Sequence, residues 1–149
     1  MKWQRIQTLY LGIAVLLIGT MFFCRFATII APGGEEIIIR YYEKKPFLVL
    51  LIMTLTAQIA ALASYKVFLL QSRVCVIAAF LSLGFQIWMG MDYFTYHKEM
   101  VFSFTMIFPL VAAILDLIAG RKSMVDAITL QSIKGIRQAR HKRATARKK

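Results

Sequence analysis

Cysteine and histidine are scarce in this chain, two of each. Cys24 and Cys75 both lie inside apolar runs, His97 and His141 are far apart, and no Cys/His group has the spacing of a metal site. His97 and His141 are expected on opposite sides of a membrane, so they cannot share a catalytic centre. No serine stands in a nucleophile elbow and no glycine-rich phosphate loop is present. These absences argue against an enzyme, and no cofactor is expected. No internal repeat is evident, so the inverted repeats of many transporters are not indicated. Acidic residues are also few, seven Asp and Glu against nineteen Lys and Arg.

What the chain has instead is apolar residues in long runs. The hydrophobic fraction is 59%, where soluble domains sit near about 45–50%. A soluble nucleic-acid binder would seldom be so apolar, so the formal net charge of +12 needs another origin. Position supplies it: ten of the nineteen basic residues lie between Arg121 and Lys149.

A helix crossing a bilayer core of about 30 Å needs roughly 20 mostly apolar residues. Four runs approach this, at about residues 8–30, 47–70, 74–91 and 100–119. In hydrocarbon the backbone must satisfy its own hydrogen bonds, so helices are expected rather than open strands. The fold expected is all-α, a polytopic membrane protein: a four-transmembrane-helix bundle over residues 1–120, then a basic cytoplasmic tail over 121–149, partly an amphipathic helix. A cleaved signal peptide is the rival for the first run, with Lys2 and Arg5 as its basic region. The apolar stretch is long for that role and no small-x-small site follows.

Basic residues in short flanks set orientation. One side collects Lys2, Arg5, Lys66, Arg73 and the tail, and is expected to be cytoplasmic. The other holds Arg25, Arg40, Lys44, Lys45 and Lys98 together with Glu35, Glu36, Glu43, Asp92 and Glu99. An even number of spans keeps both ends inside. Pro32-Gly33-Gly34 signals a turn in the external loop. Ile37-Ile38-Ile39 after it fits either a short strand or an interfacial segment. Cys24 is expected near the outer end of the first helix and Cys75 near the inner end of the third, too far apart for a disulfide.

Several segments carry a resemblance. Gln4-Arg5-Ile6-Gln7-Thr8-Leu9-Tyr10, the basic turn of Tyr65-Lys66 with Gln71-Ser72-Arg73-Val74-Cys75, and Phe108-Pro109-Leu110 with Leu115 to Ala119 resemble a bacterial membrane family of Bacteroidota catalogued as domain of unknown function 4293 (DUF4293). The resemblance implies a four-span inner-membrane protein and no known activity. This chain departs from the family after the last helix. There Arg121-Lys122-Ser123 is followed by Asp126 and a strongly basic tail, rather than an acidic-basic segment with an Arg-Leu-Arg ending.

Asp116 is the one carboxylate within an expected span. Intramembrane acids can serve as proton or ion sites, but its run ends soon after it, so a structural ion pair with Arg5, Arg73 or Arg121 is expected. Arg25 could bind an anion, or its long side chain could reach the headgroups. Gln4, Arg5 and Gln7 fit partner recognition and surface anchoring equally. Gln58 and Ser82 fall at similar depth, so an interhelical polar contact between the second and third helices is expected. Tail residues Arg121, Lys122, Lys134, Arg137, Arg140, Lys142 and Arg143 suit anionic lipid, with Val125, Ile128, Ile133 and Ile136 as a partial apolar stripe; the same charges could simply fix topology. Contact with RNA or a ribosome is disfavoured, because no aromatic stacking platform interleaves the basic residues.

The function expected is a non-enzymatic accessory or scaffold subunit of the bacterial inner membrane. It would act through helix–helix and anionic-lipid contacts, with a membrane-protein partner or a second copy. A small dimeric four-helix transporter is the alternative. It is weakened because small multidrug exporters resemble a pattern with an acid in the first helix, and this first helix has none.

Overall fold

The computed structural model describes the backbone of residues 2–31 and 33–146, and the side chains of residues 6–31 and 33–140. Helix dominates: α1 (Lys2–Met21), α2 (Lys45–Ala63), α3 (Phe68–Tyr96) and α4 (Phe108–Ala146). Short 3₁₀ turns precede α3 at Ser64–Lys66 and α4 at Phe104–Ile107. Three strands complete the chain: β1 (Arg25–Ile30), β2 (Glu36–Arg40) and β3 (Met100–Phe102).

The strands correct two expected boundaries. The first apolar run leaves the helix at Met21, and Arg25–Ile30 is strand. Hydropathy alone cannot separate these states, but β-branched Thr28, Ile29 and Ile30 favour a pleated surface. Two partners are present to pair with them. The fourth run likewise begins as strand at Met100–Phe102, and its α-helix starts at Phe108. The third helix is longer than its run at both ends.

The strands form one antiparallel sheet in the order β2-β1-β3. Thr28 is paired with Ile38 on one side and Val101 on the other. Gly34 adopts φ +79° in the β1–β2 turn, a left-handed conformation that favours glycine. Its amide bonds the Ala31 carbonyl at 2.9 Å. The Ile37–Ile39 segment, open between strand and interface from sequence, is therefore strand.

One sheet thus ties the α1–α2 connection to the α3–α4 connection. Both must lie at the same end of the molecule, so the helices alternate in direction. Around the ring, α1 packs on α2 and α4, and α3 packs on α2 and α4. Among the described residues, the segments Lys45–Lys66, Phe68–Tyr96 and Phe104–Arg140 are long and apolar enough to cross a membrane, and Ile6–Met21 is a shorter apolar helix. Large apolar side chains point outward, with Leu16 and Phe80 each 69% exposed and Ile87 65% exposed, as lipid-facing surfaces require.

The sheet closes over an aromatic core. Phe26 is fully buried and meets Tyr41, Phe47 and Phe102 edge to face, with centroids 5.4, 5.0 and 5.4 Å away. Phe47 passes the contact on to Phe85 of α3 at 5.8 Å. Tyr41 shares a 2.9 Å hydrogen bond with the Thr105 hydroxyl, which itself donates to the Arg25 carbonyl. Burial pushes the Tyr41 hydroxyl up to about 12, with the Thr105 hydrogen bond pulling the other way. Lys44 pairs with Asp92 at 2.6 Å, and its ammonium lies 4.9 Å from the Phe26 ring centre and 5.5 Å from that of Tyr96. Arg25 is exposed at the start of β1 rather than inside a helix.

Candidate functional site: a buried polar line between the helices

The face that α4 turns to its neighbours is small. Ala112, Ala113, Asp116, Ala119 and Ser123 are buried there, at the three- and four-residue spacing that aligns side chains on one helix face. α3 answers with Ser72, Cys75, Ala78, Ala79 and Ser82, also buried. The two helices come close at Gly120, where an added Cβ would stand 3.0 Å from Cys75 Cβ and 3.5 Å from the Ser72 carbonyl oxygen. Small residues let backbones approach closely where lipid offers no hydrophobic drive between helices.

Two polar groupings sit along this seam. The first lies away from the sheet. Gln7 Nε2 of α1 donates to Asp126 Oδ2 at 2.5 Å. Ser123 Oγ lies within hydrogen-bond reach of both Gln7 Oε1, at 3.2 Å, and Gln71 Oε1, at 3.1 Å. Three helices are joined here, and Gln7 is 2% exposed. Buried in this cluster, Gln7 is turned away from both roles its sequence position left open, partner recognition and surface anchoring. Beside the cluster, the Lys122 ammonium lies 4.7 Å from the centre of the Tyr10 ring.

The second grouping is deeper. Asp116 and Gln58 are both fully buried, and Gln58 Nε2 donates to Asp116 Oδ2 at 3.2 Å. Asp116 Oδ1 and Gln58 Oε1 have no hydrogen-bond partner among the described residues, and neither do Ser82 Oγ and Gln86 Oε1 on α3.

These positions correct two expectations. Asp116 does not pair with Arg73 or Arg121, which are exposed; the side chain of Arg5 lies outside the described residues. The expected pairing rested on placing Asp116 near a helix end. In fact α4 continues past Ala119 to Ala146, so Asp116 is interior. Gln58 likewise meets Asp116 of α4, not Ser82 of α3. Their similar depth was read from sequence, but which way α2 is rotated was not. Gln71, Ser123 and Asp126 went unrecognised as a cluster; the Ser123–Asp126 spacing puts both on one helix face, but Gln7 is more than a hundred residues away in sequence.

The tail is not a separate element. α4 passes Gly120 and Gly135 unbroken. Arg121, Lys134, Arg137 and Arg140 are exposed, as are Val125, Ile128, Ile133 and Ile136; the side chains of Lys142 and Arg143 lie outside the described residues. A shallow groove of about 360 Å³ at its base is lined by Ile118, Arg121, Lys122, Val125 and Asp126.

A family model described as domain of unknown function (DUF4293) matches residues 3–136. No curated protein and no solved structure matches the chain.

Proposed function

Because the chain belongs to the DUF4293 family, whose defining domain has no assigned activity, we propose from its geometry that it is a non-enzymatic scaffold or accessory subunit of the bacterial inner membrane. It crosses the bilayer four times as a helix bundle, keeps both ends in the cytoplasm, and carries the sheet outside. The twenty residues of α1 span about 30 Å at 1.5 Å per residue, enough for a bilayer core. The excess of basic residues at the other end from the sheet favours that end as the cytoplasmic one.

The observation that carries this reading is the continuity of α4. Its 39 residues would extend about 58 Å, nearly twice a bilayer core. Inside the ring its small face is held by α1 and α3. Beyond Ala127, every described side chain of α4 is exposed. The extension therefore projects basic and apolar side chains from a base fixed by Ser123 and Asp126. An anionic inner leaflet attracts each Lys or Arg near it by about 1 kcal/mol. Arg121 and Lys122 beside Ile118 and Val125 suit a lipid phosphate with its chain below. Farther out, Ile133, Ile136, Arg137 and Arg140 reach the leaflet by tilting or bending beyond Ala127, where the described side chains are all exposed.

Spin labels placed singly at Ile133 and Ile136 in the reconstituted full chain test this. In anionic vesicles both are expected at the acyl boundary, by oxygen against nickel-chelate accessibility. They should return to water in neutral vesicles or at high salt. Equal water exposure under all conditions would contradict the lipid contact and favour a protein surface for that face. One observation favours the transporter alternative, the carboxyl of Asp116 buried within the ring; solute-dependent proton flux in liposomes would support it.

A further inference from the structure

The deeper polar grouping does something the scaffold reading does not require. Asp116 and Gln58 present two acceptor oxygens without donors, Asp116 Oδ1 and Gln58 Oε1, on a pair already joined through its other two polar atoms. A carboxylate buried in hydrocarbon with one neutral hydrogen bond is strongly disfavoured. Among the described residues no cation faces it, and the Lys44–Asp92 pair is the one salt bridge. Among the described residues, the titratable neighbour that feels its charge is the Cys75 thiol of α3, which carries no positive charge in either state. Gln58, from α2, contributes no charge.

A single proton resolves all of this. Placed on Asp116 Oδ1 it makes the carboxyl neutral and turns one orphaned acceptor into a donor. That donor can bond the other orphan, Gln58 Oε1. The carboxyl and the amide then exchange two hydrogen bonds in a closed ring, Gln58 Nε2 to Oδ2 and Oδ1 to Gln58 Oε1. Carboxyl and primary amide are complementary in this way only when the acid is protonated. Loss of the proton leaves two oxygens repelling across the contact and a charge in an apolar seam.

We propose that Asp116 and Gln58 form an exchangeable proton-binding site that latches α2 to α4 inside the membrane. The bound form closes the α2–α4 contact. The unbound form weakens it and admits water to Ser82 and Gln86, whose buried oxygens also lack partners. The site lies about 12 Å along α4 from Phe108, so the latch can pass a change inside the bilayer to the helix that continues into the extension.

The test uses the reconstituted full chain and dicyclohexylcarbodiimide, an apolar reagent that adds to protonated carboxyls. Peptide mass spectrometry should find the adduct at Asp116, with a yield that falls by roughly tenfold or more between about pH 5 and 9 and does not change with sodium at fixed pH. No adduct at Asp116, a yield flat with pH, or suppression by sodium would overturn the proposal, the last in favour of a metal cation. A second measurement follows the distance between spin labels at Ile59 on α2 and Leu117 on α4. The wild type should loosen as pH rises. Asp116→Asn replaces the acid O–H by an amide N–H, keeps both hydrogen bonds, and should hold one distance throughout. The same pH response in Asp116→Asn would also overturn the latch.

Discussion

Replacing Phe26 with alanine is expected to be the most damaging single substitution in the chain, costing about 3–5 kcal/mol. Phe26 starts from full burial, so its removal leaves a cavity among Tyr41, Phe47 and Phe102. Those three rings come from the β2–α2 turn, α2 and β3, so the one side chain ties the first connection to a strand some sixty residues later. Edge-to-face ring pairs add about 0.5–1.5 kcal/mol each beyond the area they bury. The Lys44 ammonium also loses its nearest ring, leaving the Lys44–Asp92 pair less shielded. Unfolding in mixed micelles should show the loss. Phe26→Leu should recover more than half of it by refilling most of the volume. A Phe26→Ala protein within about 0.5 kcal/mol of the wild type would mean that the sheet does not organise this end.

Gly120→Leu is expected to damage the opposite end of the helix ring by a different route. Its first side-chain carbon would already meet Cys75 Cβ at 3.0 Å and the Ser72 carbonyl at 3.5 Å. Neither neighbour is the movable end of a flexible side chain, so α3 and α4 must separate. Overpacking of this kind costs about 1–3 kcal/mol. It should also pull Ser123 from Gln71, one turn farther along the same seam. Gly135→Ala gives the contrast, because nothing stands within 4 Å of its added Cβ. There the helix gains intrinsic propensity worth about 0.5–1 kcal/mol. Opposite signs at the two glycines are the expected result in thermal melts of the purified protein. Equal effects would show that the close approach at Gly120 does not exist.

Much of the architecture was legible because hydropathy is a one-dimensional property. Long apolar runs located α2, α3, most of α1 and the first three turns of α4. Their flanking charges also grouped Arg25, Arg40, Lys44 and Asp92, which the structure gathers at the sheet end of the molecule. Hydropathy failed where apolar residues are taken up by strand pairing, as at Ala27 and Met100. A β-branched run reads the same whether it continues a helix or turns into a sheet. It failed again at the end of α4, where polarity rises at Arg121 but the helix does not stop. That error moved Asp116 from the interior to an imagined interface and gave it an arginine partner. Gln58 and Asp116 were each singled out, yet their meeting depends on the rotation of α2 and α4 about their axes. Sequence spacing fixes which residues share a face, not which neighbour that face meets. The Gln7–Asp126 bond joins the first helix to the last and could be seen only once both were packed.

In the proposed topology the sheet and the α4 extension lie on opposite sides of a membrane crossed four times. Single cysteines at Ile38 on β2 and Leu130 on α4, with Cys24 and Cys75 replaced by alanine, test it in intact cells. A membrane-impermeant maleimide should label the Ile38→Cys protein directly and the Leu130→Cys protein only after permeabilisation. Labelling of both positions from the same side without permeabilisation would contradict the account.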